Sequence, residues 1–216
     1  MNNLFYIITD KQFEDVQKNL VDDAAMKEKY PSLPNKGIPN GYDEIIILKK
    51  MGFELHHNSI GERVDGKLSL ESSILAECKS TNTSSKEWKF SYRAKDSFLE
   101  VCKNNSIWQL CGLWDSVTTK LLCVLCGTVE QILKRLERAN ETKSKDCKIE
   151  LLDLLNYGFK VICVDDTPEK VYTILAKKYP KTHKLDEADF IDYDDFNKNV
   201  FYSYKDFNKV NHILNK

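Results

Sequence analysis

Three segments rich in β-forming residues follow one another between positions 53 and 80, and their spacing constrains the fold more than any other feature of the sequence. They cover residues 53–58, 62–70 and 73–80, with only Asn58-Ser59-Ile60-Gly61 and Glu71-Ser72 as links. Strands this close pair antiparallel, because a parallel connection needs a crossover of about a dozen residues or more. The sequence therefore predicts an antiparallel meander.

A helix is predicted directly before the meander, over residues 42–51. Residues 45–48 have the branched aliphatic character of a strand, but Lys49-Lys50 followed by Gly52 is typical of a helix end. After the meander, the pattern predicts a helix over residues 85–104, a buried strand over 121–126 and a helix over 129–139. The predicted element order is αβββαβα.

Further elements flank this core on both sides. Residues 4–8 have the pattern of a short strand, and Asp10 is predicted to cap a helix that follows this strand. Proline and glycine residues then break the chain over residues 31–41. Beyond the core, the sequence predicts a helix over residues 149–157, a strand over 159–164 and a helix opened by Thr167-Pro168.

These elements predict an α/β fold with a mixed central sheet flanked by helices. Three parts are expected. Residues 1–40 form an N-terminal βα addition, residues 41–140 form the core, and residues 141–216 form a C-terminal α/β extension of the same domain.

Charge and cysteine content narrow the function classes. The formal net charge of −1 argues against a chain that binds nucleic acid through its overall charge. Within residues 78–120, however, basic side chains outnumber acidic ones, and the predicted nucleic-acid contacts are Lys86, Lys89, Arg93 and Lys95. The 7 cysteines, without paired zinc-type spacing, fit a reducing compartment. With no signal peptide or membrane-spanning segment visible, a cytoplasmic protein is expected.

The residues with the clearest chemical potential are Asp65, Glu77 and Lys79. Side chains alternate along a strand, so Glu77 and Lys79 share one face, about 7 Å apart along the chain. Charges at the end of an otherwise apolar strand are unfavourable unless they are paired or bind something. Asp65 converges with Glu77 if the two strands pair. The sequence therefore predicts a polar site at this place in the meander.

Two neighbouring carboxylates and a lysine suit phosphodiester chemistry. Repelling carboxylates bind a hard divalent cation well, and such a cation activates a water and neutralises charge at phosphorus. The lysine has two candidate roles. Its ammonium can stabilise the transition state, or a depressed pKa can let it help deprotonate the water.

With Asp65, then Glu77-Cys78-Lys79, and a preceding helix that carries Glu44, the chain resembles the PD-(D/E)xK nuclease superfamily, which includes many restriction endonucleases and Holliday-junction resolvases. The resemblance covers roughly residues 41–127 and extends to the element order αβββαβ, so it implies a restriction-endonuclease-like core. One departure is Val64, which stands where the family pattern has proline.

The resemblance also implies roles for these residues. Asp65, Glu77 and Lys79 are catalytic, and Mg²⁺, with Mn²⁺ as an alternative, is held by Asp65, Glu77, the carbonyl of Cys78 and Glu44. The implied activity is a metal-dependent endonuclease of restriction or resolvase type. DNA is favoured over RNA as partner because most members of the superfamily act on DNA. The assembly state, monomer or homodimer, stays open.

Other interpretations of the same residues remain. Glu62 or Glu71 can replace Asp65 if the strand register differs. Glu77 and Lys79 can form an ordinary solvated salt bridge. A non-catalytic nucleic-acid-binding or assembly module on the same fold is a separate alternative, which the intact acid pair and lysine disfavour. In an unrelated α/β protein, Asp165-Asp166 after a buried strand would mark the site.

Histidine, cysteine and aromatic residues suggest further alternatives. His56-His57 can supply a metal ligand, as in RNA endonucleases of the cap-snatching type, but an exposed strand end is favoured. Cys123 and Cys126 have C-x-x-C spacing inside an apolar run, which favours buried small hydrophobes. Aromatic residues among the basic ones can stack on bases, although core packing is favoured; they are Trp88, Tyr92, Trp108 and Trp114.

Overall fold

The computed structural model describes residues 5–6, 11, 14, 41–56, 65–67, 74–92, 96–104, 107–142, 146–180, 185 and 189–196. Its strands are β1 (Phe5–Tyr6), β2 (Glu54–His56), β3 (Gly66–Lys67), β4 (Leu75–Asn82), β5 (Lys89–Tyr92), β6 (Ile107–Trp114), β7 (Leu121–Thr128), β8 (Cys147–Glu150) and β9 (Lys160–Cys163). Its helices are α1 (Gly41–Lys50), α2 (Asp96–Asn104), α3 (Val129–Glu141), α4 (Leu151–Asn156) and α5 (Pro168–Lys178).

The main sheet has 7 strands in the order β1-β2-β3-β4-β6-β7-β9. Strand β4 runs parallel to β6, whereas the other neighbouring pairs are antiparallel. Strands β5 and β8 form a separate antiparallel pair. The predicted mixed α/β sheet flanked by helices is therefore confirmed, and so is the antiparallel meander, which consists of β2, β3 and β4.

Helix α1 confirms the helix predicted before the meander. Its end is a Schellman motif, in which the N–H of Phe53 donates to Leu48 O at 2.9 Å and the N–H of Gly52 donates to Lys49 O at 3.2 Å. Gly52 adopts φ +78°, a left-handed conformation that glycine tolerates best. The branched residues Ile45, Ile46, Ile47 and Leu48 are buried against the sheet. Four consecutive residues lie on all sides of a helix, so burial all round this segment, rather than one apolar face, explains why strand-like residues occur here.

In the middle of the chain, one predicted helix was wrong and one strand was not predicted. The single helix over residues 85–104 is instead β5 followed by α2, because residues 89–92 pair with the distant strand β8. No element was predicted for β6, which is the strand that follows α2 and pairs in parallel with β4. The predicted strand over residues 121–126 lies within β7, one strand further across the sheet.

The elements outside the core follow the predictions more closely. Strand β1 lies within the predicted residues 4–8, while the helix predicted after Asp10 lies largely outside the described residues. The helix predicted over 149–157 begins later, at α4, because residues 147–150 are strand β8. Thr167 is the N-cap of α5 and Pro168 occupies its first turn, as predicted. Within the described residues, no helix is long and apolar enough to cross a membrane.

Apolar residues cover both faces of the main sheet. On one face α1 and Phe196 pack against Ala76, Cys78 and Leu110, and we call this cluster the α1 core. On the other face, helices α2 to α5 pack against residues such as Leu75 and Cys111, which we call the α2–α5 core. Because side chains alternate, Glu77 and Lys79 face the α2–α5 core.

The aromatic and cysteine residues contribute to packing, as favoured from the sequence. Trp88, Tyr92 and Trp114 are buried, and Trp108 packs edge-on against Phe196 with ring centroids 5.2 Å apart. Base stacking by the three buried rings is therefore excluded. All seven cysteines are free, and Cys123 and Cys126 are buried among them.

Candidate functional site

The pairing of β3 with β4 brings Asp65 next to the Glu77-Cys78-Lys79 segment. Gly66 pairs with Ala76, and the N–H of Asp65 donates to Ala76 O at 2.9 Å. The side-chain Oδ2 of Asp65 then accepts the N–H of Cys78 at 2.8 Å. This bond ties the carboxylate to the backbone of β4. Asp65 and the Glu77-Cys78-Lys79 segment, which are separated in sequence, are therefore neighbours across two strands.

Lys79 contacts three of the groups around it. Its Nζ forms an ion pair with Glu77 Oε1 and donates to the carbonyl oxygen of Cys78 at 2.8 Å. The same ammonium lies 5.7 Å from the ring centroid of Tyr92, within cation–π range. The side chains of Lys79 and Glu77 are only 19% and 12% exposed. This pair is therefore largely buried rather than the solvated surface bridge considered from the sequence.

The environment of Glu77 disfavours its charged form. Burial, followed by repulsion from Asp65 and a smaller contribution from Glu44, raises the pKa of Glu77 to about 8, although Lys79 acts in the opposite direction. Glu77 therefore takes up a proton at a higher pH than an ordinary glutamate, while its ion pair with Lys79 limits this rise. An added positive charge would stabilise its ionised form.

The environment of Lys79 favours its charged form. Burial by itself would lower the pKa of Lys79, but Glu77, Asp65 and the ion-pair hydrogen bond outweigh burial and raise this pKa. Of the two roles left open by the sequence, a neutral lysine that accepts a proton is therefore disfavoured. An ammonium that stabilises negative charge agrees with the structure.

Helix α1 places two carboxylates near the same end of β4. Asp43 Oδ2 accepts a hydrogen bond from the Ser80 hydroxyl at 3.0 Å, and burial raises the pKa of Asp43 while this bond lowers it. Glu44 lies close enough for its charge to raise the pKa of Glu77 and to act on Lys79. Glu44 thus contributes to the electrostatics of the site. Its role as a metal ligand stays a prediction.

The chemistry of these donors fits a hard divalent cation in part. Asp65 and Glu77 provide carboxylate oxygens, and Glu77 Oε2 is buried without a hydrogen-bond partner within the described part of the chain. However, Lys79 occupies Glu77 Oε1 and the Cys78 carbonyl, both of which the resemblance assigns to metal. Among the described residues, no group of three or more His, Cys, Asp or Glu side chains forms a ready cation site.

Several sequence candidates have other roles or lie outside the described residues. Lys89 pairs with Glu87 at 2.8 Å and with Glu150 at 3.4 Å, whereas Lys86 is exposed. The structure does not describe Arg93, Lys95, Glu62, Glu71 or His57. His56 lies in β2 opposite Phe5.

Asp165 and Asp166, the alternative site residues, both make contacts within the fold. Asp165 binds Lys50 Nζ at 3.1 Å through Oδ1 and the N–H of Leu121 at 3.1 Å through Oδ2. Asp166 forms an ion pair with Lys170 one helical turn further along the chain. Both carboxylates therefore help to connect the end of β9 to α1, β7 and α5.

Sequence reasoning missed one polar residue of this region, Gln109. It lies in β6 beside Glu77 in the strand register, and it is fully buried. The signal was present in the sequence, since Gln109 is the only strongly polar residue in the apolar run Ile107–Trp114. The same argument that selected Glu77, a polar residue in an apolar strand, applies to it.

Comparison with known proteins adds no further identification. No protein-family model, curated protein or solved structure matches the chain.

Proposed function

We propose that this protein is a metal-dependent endonuclease that hydrolyses phosphodiester bonds, with DNA favoured over RNA. One observation carries the proposal. Asp65, Glu77 and Lys79 meet in one largely buried site, where Glu77 has a pKa raised to about 8 and an Oε2 without a hydrogen-bond partner among the described residues. An electrostatically unfavourable pair of carboxylates is typical of sites that hold a cation or perform proton chemistry.

The topology supports the same proposal. When β5, which lies between β4 and α2, is left out, the elements α1, β2, β3, β4, α2 and β6 follow the αβββαβ order of the PD-(D/E)xK superfamily that the sequence resembles. The parallel pairing of β6 with β4 gives the mixed sheet expected for that core. We therefore propose a restriction-endonuclease-like core, with the two-stranded sheet of β5 and β8 as an addition.

Each residue of the site has a distinct role in this proposal. Asp65 and Glu77 hold the cation, with Glu44 completing its surroundings. When bound, Mg²⁺ or Mn²⁺ polarises the scissile phosphate and lowers the pKa of a water. Lys79 keeps its proton and places an ammonium where negative charge develops at phosphorus. The hydrogen bond from Cys78 N–H to Asp65 fixes the orientation of that carboxylate.

Cleavage assays test the proposal directly. Plasmid DNA, single-stranded DNA and RNA are incubated with the protein in Mg²⁺, Mn²⁺ or EDTA, and products are separated by electrophoresis. We expect cleavage with either metal, loss with EDTA, and loss in Glu77→Gln. Glu137→Gln serves as the matched control because Glu137 pairs with Lys103 on the surface, with Nζ and Oε1 3.0 Å apart. Equal activity in both variants would place the reaction elsewhere.

A second candidate is a non-catalytic module that binds nucleic acid. The ion pair of Lys79 with Glu77 and its bond to the Cys78 carbonyl favour it, because these contacts already satisfy groups that a metal would use. In this case nucleic acid binds without being cut, and binding is the same in EDTA as in Mg²⁺.

A further inference from the structure

Gln109 is buried without the contacts that a buried amide normally has. Its side chain is 0% exposed, and neither Nε2 nor Oε1 has a hydrogen-bond partner anywhere in the described residues. Burying an amide without partners destabilises a protein, whereas an apolar residue of similar shape would avoid that cost. A glutamine at this position is therefore best explained by something that it binds.

The strand register places Gln109 next to the site. In the parallel pair β4 and β6, Glu77 is the Cα partner of Gln109, so the two side chains leave the same face of neighbouring strands. Strands in a sheet lie about 4.8 Å apart, which is close enough for two long side chains to share one ligand. Glu77 Oε2 is itself unpartnered in the described chain.

The unpartnered atoms are chemically complementary to a water molecule. Glu77 Oε2 and Gln109 Oε1 are acceptors, and Gln109 Nε2 is a donor. If Glu77 Oε2 binds a cation, a water on that cation can donate a hydrogen bond to Gln109 Oε1. The neighbouring residues of β6 on this face do not lack partners as Gln109 does. Ile107 is apolar, and Cys111 Sγ contacts the Tyr92 hydroxyl at 3.1 Å.

We propose that Gln109 is a positioning residue of this site, whose amide holds a water of the hydrated divalent cation that Glu77 binds. This inference rests on the proposed function for the presence of the cation. Gln109 acts on the metal through that water and does not contact the reacting phosphate. Groups that hold metal-bound ligands in this way typically change metal affinity by about 10- to 100-fold when they are removed.

The test uses Gln109→Met, which keeps the length of the side chain and removes its donor and acceptor. Mn²⁺ affinity is measured by calorimetry and by the resonance signal of free Mn²⁺, and stability is measured by urea unfolding without metal. The matched control is Gln131→Met. Gln131 has both amide atoms bonded, accepting from Thr128 N–H at 2.7 Å and donating to Tyr157 O at 2.9 Å.

We expect Gln109→Met to unfold at the same or a higher urea concentration and to bind Mn²⁺ about 10- to 100-fold more weakly. Gln131→Met should show the reverse pattern, with lower stability and parental Mn²⁺ affinity. Parental Mn²⁺ affinity in Gln109→Met would overturn the inference, and so would a clearly lower urea midpoint, which would indicate a structural role.

The cleavage assay separates this inference from the proposed function. If the parent binds Mn²⁺, loses affinity through Gln109→Met and yet cuts no substrate, the endonuclease proposal fails and the role of Gln109 stands. If the parent cuts DNA and Gln109→Met leaves Mn²⁺ affinity unchanged, the role of Gln109 fails and the endonuclease proposal stands. A parent that binds no Mn²⁺ overturns both.

Discussion

The raised pKa of Glu77 makes the affinity of the proposed site for a divalent cation depend on pH. A cation binds the carboxylate and not the protonated acid, so binding must release the proton of Glu77 wherever the pH lies below its pKa. Lys79 does not titrate in this range, because the neighbouring carboxylates raise its pKa further above neutrality. Affinity should therefore rise with pH until Glu77 is ionised.

The magnitude follows from the pKa of about 8 for Glu77. With that value, roughly one molecule in 100 has Glu77 ionised at pH 6, and about half do at pH 8. Mn²⁺ affinity should therefore increase about 10- to 100-fold between these two pH values, with about one proton released per ion at the lower end. Calorimetry in two buffers of different ionisation enthalpy measures both quantities.

Two variants serve as controls for this measurement. Glu77→Gln cannot titrate, so its weaker affinity should be nearly independent of pH in this range. Lys79→Met removes the charge that lowers the pKa of Glu77, so the rise in affinity should shift to higher pH. A parental affinity that is the same at pH 6 and pH 8 would refute the reasoning, because Glu77 would then be ionised throughout or would not bind the metal.

Three other changes test separate parts of the structure. Lys79→Met should lower the single-turnover cleavage rate by about 100-fold or more while Mn²⁺ still binds, since a positioned cation would be lost at the transition state; a near-parental rate would leave Lys79 only a structural role. Asp65→Asn keeps an acceptor for the backbone N–H of Cys78 but removes the repulsion that raises the pKa of Glu77. The rise of Mn²⁺ affinity should therefore shift to lower pH. If it occurs at the parental pH, the two carboxylates are not coupled. Gly127→Ala should lower the free energy of unfolding in urea by about 1–3 kcal/mol. The added Cβ would lie 2.6 Å from the ring of buried Phe159, and unchanged stability would mean that this contact relaxes freely.

Local sequence signals were sufficient where neighbours in the chain decide the conformation. The end of α1 was predictable because Lys49-Lys50 and Gly52 are local helix-stop signals, and the structure shows the corresponding Schellman bonds. The start of α5 was predictable from Thr167-Pro168 for the same reason. The short links between β2, β3 and β4 left little choice except antiparallel pairing.

Segments that depend on distant partners were not predictable in the same way. Aromatic and polar side chains alternate over Trp88-Lys89-Phe90-Ser91-Tyr92, which is a strand pattern, but the partner strand β8 comes from far along the chain and the predicted helix over residues 85–104 covered this segment. Strand β6 is nearly continuously apolar because it is covered on both faces, so it lacks the alternation that identifies a half-exposed strand. Its pairing with β4 is parallel and requires the intervening helix α2.

In the candidate site, too, some features follow from the local sequence and others depend on the tertiary structure. Alternation along one strand was enough to select Glu77 and Lys79, and two nearby strands were enough to bring in Asp65. Only the tertiary structure decided that the pair is buried, that the pKa of Glu77 rises while Lys79 stays charged, and that Gln109 lies beside Glu77. The physical reason is that burial and register depend on which strands and helices cover a residue, whereas side-chain alternation depends only on the backbone of its own strand.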